Sequence, residues 1–369
     1  MATCCRATTP HAFSWNRRRP GLGSGHAVKS RRLAGRQGRG NNSSAAALVV
    51  RGFCAANSGS EDDAAAGDMP GTRRQLVLTV DQSGRGDHRR IQDAVDAAPA
   101  NSSPGSVVIR IKPGVYRQLA PHVHLSREKV TVDKPCVTLV GTSASSTVIT
   151  WNESWVAAES PTVSVLAPDF IAKRLTFQNT FGTSGPAVAM RVARDRAAFY
   201  GCRFVSFQDT LLDDTGRHYY RGCYIEGGTD FIFGNSKALF DKCHLHSTSL
   251  VGGAFTAHKR SAESEDTGFS FVGCKLTGVG KGTSILGRPW GPYSRVVFAL
   301  SYMSSTVRPE GWDDWSDPTK QRTAFYGQYQ CYGEGSKTDG RVAWSRDLSQ
   351  AEAARFITKV WVGGQEWLR

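Results

Sequence analysis

Apolar and β-branched residues recur along most of this chain in short alternating runs, and the runs are separated by glycine, asparagine and aspartate. Residues 107–111, 137–140, 148–150 and 163–165 read as strands of three to five residues. Residues 75–80 read as an opening strand. Between these, residues 88–98 change period. Ile91, Ala94, Val95 and Ala98 recur at helical spacing, and Pro99 ends the run. A short amphipathic helix there would cap the open end of a stack of strands. Residues 285–369 lose the period, and residues 349–356 read as a helix, so loops and C-terminal helices are expected to pack along the outside.

From residue 197 the runs become copies of one another. Ala197-Ala198-Phe199-Tyr200-Gly201-Cys202-Arg203-Phe204 aligns with His218-Tyr219-Tyr220-Arg221-Gly222-Cys223-Tyr224-Ile225, aromatic on aromatic and cysteine on cysteine. The pattern returns at Phe240-Asp241-Lys242-Cys243-His244-Leu245 and Phe271-Val272-Gly273-Cys274-Lys275-Leu276, while Phe177-Gln178-Asn179-Thr180 echoes Phe207-Gln208-Asp209-Thr210. A repeat of roughly 20–30 residues, rich in β-formers, predicts the coils of a parallel β-helix. Equivalent positions in adjacent coils stack about 4.8 Å apart. Asp209 follows Cys202 by seven residues and Asp230 follows Cys223 by seven. The repeat therefore sets two carboxylates side by side. Like charges that close titrate as a coupled pair, with one pKa raised. One residue type then supplies both a nucleophile and a general acid/base.

Composition changes the picture mainly at the N-terminus. Of the fourteen net positive charges, ten lie in residues 1–60, which contain no Asp or Glu, leaving +4 for residues 61–369. Residues 1–75 are expected to form a disordered or cleaved basic leader, more like a transit peptide than a secretory signal, and residues 76–369 the catalytic domain. The arginines have no accompanying nucleic-acid motif, and no apolar run is long enough to cross a bilayer, so neither a nucleic-acid nor a membrane partner is expected. Two sequons, Asn101-Ser102-Ser103 and Asn152-Glu153-Ser154, are compatible with secretion. The four repeat cysteines are expected to form an inward stack of buried thiols. No CxxC pair occurs, so no metal site is expected. His244 and His246 share a strand face and read as structural, and Asp213-Asp214 as a turn cap.

At Gln208-Asp209-Thr210, at Ile225-Glu226-Gly227-Gly228-Thr229-Asp230-Phe231-Ile232-Phe233-Gly234 and at Leu286-Gly287-Arg288-Pro289-Trp290, the chain resembles the pectin methylesterase family. Gly84-Arg85-Gly86-Asp87 and Phe255-Thr256-Ala257 add to the likeness, which is close to plant members and spans roughly residues 75–369. The resemblance implies an all-β, right-handed parallel β-helix, hydrolysis of methyl esters on the galacturonate units of pectin, and no cofactor. It implies Asp230 as nucleophile, Asp209 as general acid/base, Gln208 as oxyanion donor and Arg288 as the partner that holds Asp230. Trp290, Phe231 and Thr256 would bind substrate. It also implies a monomer in the plant cell wall, with pectin as substrate and a proteinaceous pectinesterase inhibitor as a further partner. An arginine partner should depress the nucleophile's pKa. Trp312 and Trp315 either line a sugar groove or pack.

Two features depart from the family pattern. Pro186-Ala187-Val188-Ala189-Met190 stands where the family has glutamine at the first position, a residue that helps bind the oxyanion. Residues 118–127 interrupt the family's Gly-x-Tyr-x-Glu motif between Arg117 and Glu128. That insert is either a tolerated loop or the product of splicing or gene assignment. These departures keep open a catalytically impaired, pectin-binding wall protein. A glycoside hydrolase on the same scaffold is the other alternative, since paired carboxylates also suit that chemistry.

Overall fold

The computed structural model describes residues 75–103, 105–117, 129–154 and 160–368. The expected leader (up to residue 74) and the insert at 118–127 lie outside the described residues.

Every strand pairing among the described residues is parallel, and the strands fall into three sheets of eleven, eight and seven strands. Each coil contributes to the sheets in turn. Ala197–Tyr200 joins the first sheet, Arg203–Val205 the second and Leu211–Asp213 the third. The next coil repeats the order with Arg217–Arg221, Tyr224–Gly227 and Ile232–Gly234. This is a parallel β-helix, as the repeat predicts. Its core is made of columns. Phe199, Tyr220, Phe240, Phe271 and Phe298 stack with successive ring centroids 4.8, 4.6, 4.5 and 4.5 Å apart. All five are fully buried. Each such ring stabilises the fold by about 1.5–3 kcal/mol through burial alone.

The cysteine column forms as expected. Cys202, Cys223, Cys243 and Cys274 are buried free thiols. The sulfurs of Cys223, Cys243 and Cys274 approach backbone carbonyls of the preceding coil, for example Cys223 to Phe199 at 3.5 Å and Cys274 to Phe240 at 3.3 Å. Cys331 continues the column, its sulfur 3.4 Å from the Phe298 carbonyl. The solenoid thus runs further than the sequence pattern shows. Ser284–Gly287, Arg295–Ala299, Tyr302–Met303 and Phe325–Tyr329 are all coil strands. The excursion between Met303 and Phe325 hides their period.

The N-terminal helix is Ile91–Asp96, with Ile91, Ala94 and Val95 buried. It is shorter than the apolar spacing suggests because His88 pairs with Val80 as a bridge. Gln92 clamps the end strand of the third sheet, accepting from Thr131 N at 2.7 Å and donating to Thr131 O at 3.2 Å. At the other end Gln350–Ala353 forms one helical turn under a Ser349/Glu352 capping box. The following segment lays Phe356, Trp361 and Trp367 on the outer face of the first sheet, against Ala198, Tyr219, Leu239 and Val297. The Trp361 indole anchors it by donating to Ala238 O at 3.0 Å.

Asp213 is no turn cap. It is buried, with His218 Nδ1 and the Tyr220 hydroxyl each 2.6 Å from its Oδ1 and the Ser236 hydroxyl on its other oxygen. Only such complete pairing makes a carboxylate tolerable inside the coil. Among the described residues no group of His, Cys, Asp and Glu is placed to hold a metal. His244 and His246 instead share the hydroxyl of Thr277, each at 2.7 Å.

Candidate active site

Asp209 and Asp230 lie at the same corner of adjacent coils, two residues before the third-sheet strands Leu211–Asp213 and Ile232–Gly234. Gln208 bridges Thr229 in parallel, and Asp209 N donates to Thr229 O at 3.2 Å, so the two aspartates stack in register. Both have left-handed backbone, with φ of 62° and 47°. Aspartate visits this region more readily than most residues, at a cost that clusters at functional sites. The conformation turns each carboxylate outward and the residue after it inward.

Phe231, the residue after Asp230, is therefore fully buried and packs on Phe255 with ring centroids 5.1 Å apart. Thr256 is also fully buried and donates to Leu286 O at 2.9 Å. Neither reaches the surface, so the expectation that they touch substrate is corrected. Both instead build the floor beneath the site.

Arg288 follows the strand Ser284–Gly287. Its Nε donates to Asp230 Oδ1 at 2.9 Å and its Nη2 to Oδ2 at 2.6 Å, a bidentate pair. Gly287 permits this approach, because a Cβ there would lie 2.1 Å from Thr256 Oγ1. The Trp315 ring covers the guanidinium at 4.0 Å. Trp312 is buried and stacks on Tyr326 at 4.3 Å. The two tryptophans thus divide the readings left open for them: Trp312 packs, and Trp315 forms a wall of the site.

The two carboxyls differ in their partners. Burial first, and then the charge of Asp230, push Asp209 up to about 8, against a smaller opposing pull from Arg288. No hydrogen bond to another described residue engages its carboxyl. Burial also raises Asp230 above the ordinary carboxylate value, outweighing the two Arg288 bonds, with Asp313 adding to the rise. The expected depression of Asp230 is not found, because the site is drier than an exposed ion pair. The asymmetry survives: an arginine fork holds Asp230 in its ionised form, and Asp209 has none.

Gln208 is half-buried, and its side-chain amide makes no hydrogen bond within the described residues. Pro186 bridges Gln208 from the preceding coil, and Ala187 N donates to Gln208 O at 3.0 Å. Residue 186 is thus stacked directly on the residue expected to bind the oxyanion. Trp290 is 40% exposed, beside Phe233 at 6.0 Å, with the Lys259 ammonium 4.6 Å from its ring centroid. It is an open platform next to Arg288. Val188, Leu212, Phe233 and Ala257, all buried, form an apolar floor beneath these groups, with Trp315 packed against them. Sequence reasoning had no signal for Phe233, Lys259 or this floor, since each depends on which way a side chain leaves its coil.

A stacked pair of aspartates, one forked by an arginine and one raised in pKa by burial and its neighbour's charge, lies beside Trp290 and Trp315 on the third-sheet face of the solenoid, a side-chain set of the kind that hydrolases use. The family model described as Pectinesterase matches residues 77–365. Putative pectinesterase 11 of Arabidopsis thaliana is 50% identical over 297 residues, which cover 80% of this chain and 81% of that protein. Among solved structures, pectin methylesterase from carrot matches with a TM-score of 0.73 at 31% identity, covering 82% of this chain and 97% of that one. A pectin methylesterase in complex with hexasaccharide VII matches at 0.65 and 26% identity, covering 79% and 98%. The chain belongs to the pectinesterase family and is a carboxylic ester hydrolase.

Proposed function

We propose that this protein hydrolyses the methyl esters of homogalacturonan, releasing methanol and leaving pectate, with Asp230 as nucleophile and Asp209 as general acid/base. The observation that carries this reading is the bidentate Arg288–Asp230 pair beside a carboxyl, Asp209, that keeps its proton to about pH 8. A carboxylate oxygen of Asp230 attacks the ester carbonyl. The Gln208 amide donates to the oxyanion that forms. As the bond to methoxide breaks, Asp209 gives it a proton and methanol leaves. Asp209, now ionised, takes a proton from water. The hydroxide adds to the acyl–Asp230 anhydride, Asp230 departs as carboxylate, and Asp209 again carries its proton. The Trp290 ring offers an apolar face to a sugar unit. The site is complete within one chain, so a monomer suffices. The polymeric substrate places the working enzyme in a plant cell wall, where a proteinaceous inhibitor would act by covering this face.

The same assignment fixes a pH dependence. The first step needs Asp230 ionised and Asp209 protonated. Methanol release at low substrate is therefore expected to fall as pH rises through about 8, where Asp209 loses its proton. A kcat/KM profile recorded from pH 5 to 10 checks this, and a plateau running unbroken to pH 10 would contradict the role of Asp209.

Pro186 favours a second reading, an impaired enzyme that binds pectin more than it turns it over. A glutamine at residue 186 would lie one coil below Gln208 and add an amide donor. Pro186→Gln is expected to raise kcat tenfold or more, in line with the size of oxyanion contacts, and to change KM less. Steady-state kinetics alongside a melting curve checks this. A folded variant with unchanged kcat would mean that Gln208 suffices.

A further inference from the structure

The three outer faces of the solenoid have different fates. The C-terminal segment covers the first sheet through Phe356, Trp361 and Trp367. The third sheet carries the catalytic face with its apolar floor and Trp315. Neither apolar cluster reaches the outer face of the second sheet. Instead it presents a column in strict register: Arg203 opposite Tyr224, Tyr224 opposite His244, His244 opposite Lys275, Lys275 opposite Tyr302, and Tyr302 bridging Tyr332. Cations and rings thus follow one another at one per coil, about 4.8 Å apart. Arg203 lies over the Tyr224 ring at 4.7 Å, Tyr224 meets His244 edge-on at 5.2 Å, and Tyr302 lies 5.6 Å from Tyr332. Arg203 and Lys275 are exposed, and Tyr332 is 59% exposed.

The charge on this face is unbalanced. Arg174 and Lys242, at the turns that lead into the second sheet, are also exposed. Arg174 donates to Gly141 O at 3.2 Å. Among the described residues, none of the four cations has a carboxylate within ion-pair distance. The one carboxylate in the middle of the strip, Glu226, accepts from the Tyr224 hydroxyl at 2.5 Å. At the same turns Arg221 and Asp241 pair with each other at 3.4 Å and cancel. The four unpaired cations, against Glu226 and interleaved with rings, make a strip suited to an extended polyanion built of sugar rings. Rings give a sugar a stacking surface and tie the cations in place, and the cations meet carboxylates.

We propose that the outer face of the second sheet is a binding strip for de-esterified homogalacturonan, separate from the catalytic face. The occupant is the polyuronate that the proposed reaction itself produces, so the inference rests on that reading. A run of free galacturonates offers one carboxylate per ring along a chain, whereas the methyl-esterified polymer is neutral and gains only the stacking. The strip tethers the enzyme to stretches it has already de-esterified while the catalytic face works on methyl esters nearby.

The test uses the full chain and the double variant Arg203→Gln with Lys275→Gln, both at exposed side chains outside the catalytic machinery. Binding to polygalacturonate at low salt is expected to weaken roughly tenfold in the double variant, as befits two exposed charge contacts, and the difference should vanish at high salt. Turnover on a short methyl-esterified oligogalacturonate should be unchanged. A control variant, Lys112→Gln with Lys359→Gln, removes two exposed cations away from the second sheet, Lys359 lying over Tyr219 of the first sheet, and should bind as the parent does. Equal binding by the parent and the Arg203/Lys275 variant overturns the proposal, and so does an equal loss in the control, which would mean that net charge alone governs binding. Failure of the parent to release methanol from esterified pectin would instead overturn the proposed function, so the two failures are told apart.

Discussion

Asp230→Asn is expected to lower methanol release by about 10⁴-fold or more, because an amide cannot form the acyl intermediate and no other described carboxylate is held by Arg288. The fold should persist. Asparagine accepts the left-handed backbone that Asp230 adopts, and its amide oxygen can still take one bond from Arg288. Asp209→Asn is expected to be nearly as damaging, by about 10²–10⁴-fold, since the departing methoxide loses its acid and the water its base. It differs from Asp230→Asn in its effect on stability. Asp209 keeps a proton to about pH 8 in the folded state, while an unfolded aspartate releases it near pH 3.9. The native state therefore binds the extra proton between about pH 4 and 8, and stability falls as pH rises across that window, by at most about 1.4 kcal/mol per pH unit. Replacing Asp209 by asparagine removes this penalty. The variant should melt higher than the parent at pH 8 and show little difference at pH 4. Melting curves at the two pH values check this, beside an assay of methanol. Near-native turnover in either variant would end the two-carboxylate mechanism.

Arg288→Lys is expected to lose most activity, by about 10²-fold, although the charge is kept. The guanidinium makes two in-plane bonds to Asp230, at 2.9 and 2.6 Å, while its face lies 4.0 Å from the Trp315 ring. An ammonium is a point charge with no plane, so it cannot do both. The carboxylate would lose its fixed orientation and Trp315 its stacking partner. Turnover should fall more than pectin binding, because the exposed ring of Trp290 remains. Comparing kcat with KM for the variant separates the two effects, and unchanged kinetics would remove Arg288 from the mechanism.

Much of this site is legible in the sequence because a solenoid converts spacing into geometry. The seven-residue offset from each cysteine places Asp209 and Asp230 in one column, and the structure stacks them there through the Gln208–Thr229 bridge. The aromatic and cysteine columns follow from the same alignment. The period was legible only where coils have similar lengths. Beyond residue 285 an excursion separates Met303 from Phe325, and the continuing strands and Cys331 were missed.

Three things were decided by the tertiary structure. Whether a side chain faces in or out depends on backbone dihedrals at the corner. The left-handed Asp230 sends Phe231 into the core, where the family resemblance implied a substrate contact. The dryness of the site depends on what surrounds it. Burial lifts both carboxyls, and the arginine that should have depressed Asp230 only moderates the rise. Finally, contacts between distant segments bring Trp315 onto Arg288 and lay Trp361 on the first sheet. A repeat along the chain determines which residues share a column. The closing of coils on one another determines which of them meet solvent, substrate or each other, because burial and orientation are properties of the packed molecule and not of any one coil.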